Sequence, residues 1–331
     1  MIRLKPWLWL SPSLAHMLSP VVLNCLGLFS NSVPAEWQAF EWRGIRFPNR
    51  LGIAGGVDKD AINVHAWWKL GAGFLEVGTV TPRPQSGNSP PVIDRDSKHR
   101  ALWNRLGFPS QGVARIKNRL LKLRRPFPAP IFINIGKNAA TPLEEAGSDY
   151  KDLLRELEGT VDGFVINISS PNTRGLRDLL RPDRLRSFLE PIMRSLPNRR
   201  EPILLKLSPD LSDEELESAL KISDELGIDG WVLTNTSQGL REGLSFPDDG
   251  GISGRPLAGR SREFLSRTLK ILGPRRDGKL IVSVGGVMSV EDVRERLTLG
   301  ADLVQVYSAL IFDGPYFFRK VAQWQLAHPT L

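Results

Sequence analysis

Residues 167 to 176 read Asn-Ile-Ser-Ser-Pro-Asn-Thr-Arg-Gly-Leu, directly after the apolar run Gly163-Phe164-Val165-Ile166. Three hydroxyls and two amides thus stand where a buried strand should end. Such groups either orient a polar ligand or keep a loop soluble. The rest of the chain favours the first reading, because similar residues follow other apolar runs: Lys59, Thr79, Asn134 with Lys137, Asn167 with Ser170 and Asn172, Lys206, Thr234 with Asn235, Gly285-Gly286, and Tyr307-Ser308. The loop Asn104-Arg105-Leu106-Gly107-Phe108-Pro109 joins them. Any one of these would pass as a turn residue. An amide, hydroxyl, ammonium or glycine after every run makes a polar rim.

The elements that must position this rim are short apolar runs separated by stretches of helical period. The runs are 51–55, 74–81, 131–135, 163–168, 203–207, 231–233, 280–284 and 303–306. Helical stretches include 213–226, 290–299 and 315–326, and 42–47 reads as a strand or hairpin ahead of the series. Continuous rather than alternating apolar residues suit parallel strands covered on both faces. Eight such units predict an α/β fold of the (β/α)8 TIM-barrel type, a fold of roughly 250 residues whose active sites lie where its strands end. A doubly wound sheet is the alternative. It calls for a Gly-rich dinucleotide turn after the first strand, and Gly55-Gly56-Val57-Asp58-Lys59-Asp60 is not one.

Composition sets wider bounds. The 331 residues carry a formal charge of +8 and a single cysteine, Cys25, so an internal disulfide and a cysteine metal cluster are excluded. Four histidines lie scattered without ligand spacing, and no metal is expected. The positive charge suits an anionic partner: nucleic acid, an acidic membrane or a phosphorylated small molecule. The first forty residues hold only three charged side chains, Arg3, Lys5 and Glu36. Ser11-Pro12 and Ser19-Pro20 each read as an N-cap followed by proline at the first helical position. Two short helices are therefore predicted, 12–18 and 20–29, as a small N-terminal extension to the barrel. The breaks argue against a membrane span, which needs about 20 apolar residues. Apolar helices with tryptophans and cations at the leading edge suit a bilayer surface. Packing on the main domain and a secretory signal are the alternatives.

Read together, the motifs resemble those of the class 2, quinone-reducing dihydroorotate dehydrogenases. They are GGVDKD at 55–60, EVGTVTPRPQ at 76–85, NRLGF at 104–108, NIGKN at 134–138, NISSPNTRGLR at 167–177, KLSPDL at 206–211, TNT at 234–236, GGISGRPL at 250–257, VGG at 284–286 and LVQVYSAL at 303–310. The resemblance runs from about Ser11 to the end. It implies a barrel (41–331) that holds FMN at its rim, and a segment (1–40) that rests on the membrane and forms a tunnel for quinone. It implies that dihydroorotate loses a proton and a hydride to become orotate, with Ser170 as the base and Thr173 as a candidate helper. By the same resemblance Lys59, Asn104, Arg105, Leu106, Gly107, Phe108, Asn167, Asn172, Asn235 and Thr236 bind substrate. Gly55, Gly56, Val57, Asp58, Lys59, Thr79, Asn134, Asn167, Lys206 and Thr234 bind the flavin, with Gly254, Gly286, Tyr307 and Ser308 at its phosphate. His16, Arg95 and Tyr307 are implied on the quinone side.

The sequence departs from the family pattern at Arg174, in the loop over the site, and at Asp94, beside Arg95. Three rivals compete with the class 2 reading. The soluble class 1 enzymes carry cysteine at the base position. Flavin-dependent tRNA-dihydrouridine synthases use a cysteine acid and an added RNA-binding domain, and no nucleic-acid partner is expected here. A barrel that serves only as a membrane scaffold would not need the intact rim. The expectation is a bacterial monomer, peripheral on the cytoplasmic face of the inner membrane, without the targeting segment of a mitochondrial form.

Overall fold

A computed structural model of the chain describes residues 5–30 and 35–328. Arg3, one of the cations expected at the leading edge, lies outside the described residues. A short hairpin opens the main body, β1 (Phe40–Trp42) paired antiparallel with β2 (Ile45–Phe47). The succeeding strands are β3 (Leu51–Asp58), β4 (Phe74–Val80), β5 (Ile93–Asp96), β6 (Ala101–Asn104), β7 (Ile131–Ile135), β8 (Gly163–Asn167), β9 (Ile203–Leu207), β10 (Gly230–Leu233), β11 (Gly251–Gly254), β12 (Leu280–Val284) and β13 (Leu303–Val306). Eight of them close a parallel barrel in the order β3-β4-β7-β8-β9-β10-β12-β13.

Alternation along each strand divides the apolar residues. In β7, Ile131, Ile133 and Ile135 join the large outer core shared with the helices. Phe132 joins an inner cluster with Ala54, Phe74, Val165, Leu204, Val232, Leu280, Val282 and Leu303. The hairpin belongs to that inner cluster. Phe47 is fully buried, stacked 6.2 Å from Phe132 and edge-on 5.8 Å from Phe74. Phe74, Phe132, Leu204, Leu280 and Leu303 lie in the first two positions of their strands, so the hairpin stoppers the end where the strands begin. Only the opposite end remains for a ligand.

Two sequence expectations change. The barrel strands fall where the apolar runs lie, but β5, β6 and β11 form an antiparallel three-stranded sheet that no run announced. β5 reads Ile-Asp-Arg-Asp and shows no apolar alternation. The N-terminal extension holds a 3-10 turn, Pro6–Trp9, and one helix, α1 (Pro12–Phe29), in place of two helices. Ser11 caps it as expected, accepting from the Leu14 N–H at 3.4 Å. Ser19 does not start a new helix. Proline inside a helix leaves the carbonyl four residues earlier without its donor. That carbonyl belongs to His16, and the Ser19 hydroxyl donates to it at 2.8 Å, so α1 continues through Pro20. Among the described residues α1, at 18 residues, is long and apolar enough by length and composition to cross a membrane, in contrast to the expected pair of short helices.

α1 docks on the helix Val64–Lys69. Asn63 Nδ2 donates to the Pro20 carbonyl at 2.8 Å, and Ser30 Oγ to that of Lys69 at 3.0 Å. Gly27 permits the approach: a Cβ there would lie 2.8 Å from Ala66 Cα and Cβ. Met17, Val21, Val22, Leu28 and Phe29 are left exposed.

Candidate active site

A cavity of about 950 Å3, open to solvent, occupies the end where the barrel strands finish. Its wall takes Gly55 and Gly56 of β3 with Lys59 after it, Thr79 from β4, and Asn167 at the end of β8 with Ser170 and Asn172 after it. Lys206 of β9, Thr234, Asn235 and Thr236 after β10, Gly285 and Gly286 after β12, and Tyr307 and Ser308 after β13 continue it. Asn104, Leu106, Gly107 and Phe108 reach in from the loop after β6, and Ser253 from β11. The unannounced small sheet thus supplies one side of the site.

Beneath the wall runs a buried network of side chains. Glu76 Oε1 accepts from Lys206 Nζ at 2.8 Å and from Asn134 Nδ2 at 2.6 Å, and Oε2 accepts from Gln305 Nε2 at 2.8 Å. Asn134 Oδ1 in turn accepts from Thr79 Oγ1 at 2.6 Å and Asn167 Nδ2 at 3.1 Å. Asn167 Oδ1 accepts from Ser169 Oγ at 3.2 Å and Asn235 Nδ2 at 3.3 Å. A carboxylate only accepts and an ammonium only donates, so the ends of this chain fix the orientation of each amide between them.

Ser170 is 5% exposed, and its Oγ accepts from the Asn172 N–H at 3.2 Å. Its own proton is thereby left for another acceptor. Thr173 Oγ1 is buried without a partner, and so is Asn172 Oδ1. Asn172 Nδ2 donates to Asn104 Oδ1 at 2.8 Å, tying the serine loop to the small sheet. Arg177 holds that loop from behind, donating to the Ser169 and Thr236 carbonyls at 2.9 and 2.8 Å and to Asp210 at 2.9 Å.

Lys59 Nζ donates to the Gly56 carbonyl at 3.0 Å and lies 3.3 Å from His16 Nε2. Burial lowers its pKa to about 8, against the opposing pull of Asp60 and Asp58. The Lys59 charge first, and burial second, push His16 down to about 4, so its ring is neutral at pH 7. α1 thus reaches the cavity wall through a single polar contact. Burial raises Tyr307 to about 12, which keeps the phenol protonated.

Several residues singled out from the sequence stand behind the wall. Asp58 accepts from the Ile62 and Asn63 N–H groups at 2.9 and 2.8 Å and braces the turn after β3; burial raises its pKa. Arg105 donates to the Pro91 and Ser89 carbonyls and to Asp249. Lys137 donates to the Asn138 and Thr141 carbonyls. Val57 and Gly254 are not on the wall, and Asn134 lies one layer down. Arg95 donates to the Leu8 and Leu10 carbonyls, both at 2.9 Å, and so holds the N-terminal turn in place. Asp94 and Arg174 both point to solvent.

Sequence reasoning passed over Glu76 and Gln305. A signal for the first was present. Glu76 in Phe-Leu-Glu-Val-Gly-Thr-Val and Lys206 in Ile-Leu-Leu-Lys-Leu are opposite charges in strands buried along their length. Buried charges are nearly always paired, so each asks for the other.

A family model described as "Dihydroorotate dehydrogenase" matches residues 39–328. The chain belongs to that family. A "Dihydroorotate dehydrogenase (quinone)" of Thermus thermophilus is 46% identical over 283 residues, covering 84% of this chain and 79% of the relative. Another of that name, from Dichelobacter nodosus, is 39% identical over 327 residues, 96% of either chain, and so includes the N-terminal segment. The fold agrees with that of Eimeria tenella DHODH crystallised with ferulenol, at a TM-score of 0.88 and 31% identity over 98% of this chain and 95% of that one.

Dihydroorotate dehydrogenases are flavoenzymes, and the cavity here fits a flavin by its own features. Gln305 Oε1 and Thr236 Oγ1 are buried and lack partners in the protein, as groups reserved for a ligand would be. At Gly55 a Cβ would lie 2.3 Å from Glu76 Oε1, and at Gly286 (φ +68°) 2.2 Å from Ala258 Cα. Neither position tolerates a side chain, so backbone forms the wall at both.

Proposed function

We propose that this protein oxidises dihydroorotate to orotate in pyrimidine synthesis, using FMN and passing the electrons to a membrane quinone. The observation that carries the reading is a single cavity lined by Ser170, four asparagines and two lysines in a chain of this family.

Ser170 takes the proton from ring carbon 5 of the substrate. A hydroxyl is a weak base and needs a group to receive its own proton. Thr173, three residues on in the chain with its buried hydroxyl unpartnered in the protein, is the candidate relay, taking that proton as it passes its own to solvent. Asn104, Asn167, Asn172 and Asn235 match the donors and acceptors of the pyrimidine edge, and a site built of buried amides rejects analogues that leave them unpaired. Lys59 meets the substrate carboxylate. FMN, when bound, supplies the acceptor for the hydride leaving carbon 6. Lys206, Thr79, Thr234 and the Asn167 amide hold its ring system, and Asn134 orients Thr79 and Asn167 from below. Gly286, Tyr307 and Ser308, which line the cavity, hold its phosphate.

α1 rests on the membrane by its exposed apolar face, and quinone approaches past His16. A monomer is the state we assign. A bacterial inner membrane, from its cytoplasmic face, is the setting we assign.

The test is steady-state orotate formation by the purified holoprotein, with a soluble quinone and then with fumarate, beside Ser170→Ala. Turnover with quinone alone, reduced about 100- to 10,000-fold in the variant with FMN retained, supports the reading. Turnover with fumarate overturns the quinone assignment. An unaffected variant overturns the base.

A further inference from the structure

Glu76 touches neither the cavity nor any atom of the proposed chemistry, yet two wall residues depend on it. It is fully buried at the centre of β4. Lys206 Nζ from β9 and Gln305 Nε2 from β13, neither strand a neighbour of β4 in the barrel, both donate to its carboxylate at 2.8 Å. With the Gln305 amide held that way, its unpartnered oxygen is an acceptor, and the residue lines the cavity. The cavity floor therefore presents one half of an ion pair, with the other half hidden below it.

The distinction matters for a redox group. A bare ammonium beside a flavin stabilises the negative charge of the reduced ring and raises its potential. A carboxylate 2.8 Å from that ammonium offsets the effect, and in a buried setting the offset is little screened. We propose that Glu76 is a positioning residue that sets the potential of the bound flavin by balancing the charge of Lys206. This rests on the flavin reading given above. A lower potential makes the reduced cofactor a readier donor to quinone.

The experiment measures the midpoint potential of bound FMN against reference dyes in wild type, Glu76→Gln, Lys206→Met and the double variant. Glu76→Gln should raise the two-electron midpoint by about 30 mV or more, the equivalent of a tenfold change in equilibrium constant. Lys206→Met should lower it by a similar step, and the double variant should return close to wild type. Opposite shifts that cancel are a signature of charge balance that a purely structural role for Glu76 would not give. An unchanged or lowered midpoint in Glu76→Gln, with FMN bound, overturns the proposal. If that variant does not fold, the double variant decides, because removing both partners leaves no lone buried charge. A double variant as low as Lys206→Met overturns the proposal. Wild type that holds FMN unbleached by dihydroorotate would overturn the substrate assignment while leaving Glu76 testable. Wild type without affinity for FMN would overturn both.

Discussion

The barrel and the N-terminal helix solve the same problem, holding groups around one cavity, in opposite ways. The barrel buries its strands on both faces and fixes Asn134, Asn167 and Lys206 through a network with almost no solvent contact. α1 buries little: among its residues only Gly27 is fully buried, and much of its apolar surface is exposed. The helix and the turn before it are held by separate latches: Arg95 on the Leu8 and Leu10 carbonyls, Trp7 Nε1 on the Ile311 carbonyl at 2.7 Å and Lys5 on Asp313 at 2.7 Å in the turn, and Asn63 on the Pro20 carbonyl in α1. A network shares the loss of one member among many. A latch does not. Damage to α1 should therefore be local and confined to the quinone half of the reaction, whereas damage to the floor should spread.

The sharpest way to break this contrast is at Gly27. Leucine there would drive its Cβ to 2.8 Å from the Ala66 backbone and prise α1 from the helix beneath. Such overpacking costs about 1–3 kcal/mol. Gly27→Leu should cut turnover with quinone tenfold or more, while anaerobic bleaching of the flavin by dihydroorotate stays at the wild-type rate. Stopped-flow measurement of the two half-reactions checks it, and equal loss in both would show that α1 and the barrel act as one body.

Lys59 sits at the junction and gives a smaller, pH-dependent effect. Its ammonium is charged below about pH 8 and loses its proton as the pH rises through that value. The substrate carboxylate needs the charge. kcat/KM for dihydroorotate, which reports the free enzyme, should therefore fall above about pH 8, approaching tenfold per pH unit. His16, neutral from about pH 4 upwards, should leave no inflection in the range near neutrality. A profile flat to pH 10 would remove Lys59 from substrate binding.

How much was legible beforehand follows the same divide. The barrel was readable because each strand is a continuous apolar run and each run ends in a polar residue. Ser170, Asn104, Asn167, Asn172, Asn235, Lys59 and Lys206 all reach the cavity wall, and Asn134 stops one layer below it. Asp58 and Arg105 were taken with their neighbours, since a motif shows which residues travel together and not which of them turn away from the cavity. The small sheet escaped because β5 and β6 are held by cross-strand pairing rather than by a patterned face. Glu76 escaped because its partner lies 130 positions away, where only the closure of the barrel brings it near. α1 escaped for a local reason: proline is a fair stop signal unless a hydroxyl rescues the freed carbonyl.

That rescue gives the smallest and most selective test. Ser19 Oγ, at 2.8 Å, is the donor seen for the His16 carbonyl that Pro20 cannot serve. Ser19→Ala removes it, at a cost of about 0.5–1.5 kcal/mol for one hydrogen bond. The loss falls on the turn that carries His16, the residue facing Lys59. Global thermal stability, dominated by the barrel, should hardly move. Amide exchange in 20–29 should quicken and the KM for quinone rise up to about tenfold, with the KM for dihydroorotate unchanged. A shift in both KM values would mean that the His16–Lys59 contact transmits strain into the substrate side, and that the two regions are less separate than their packing implies.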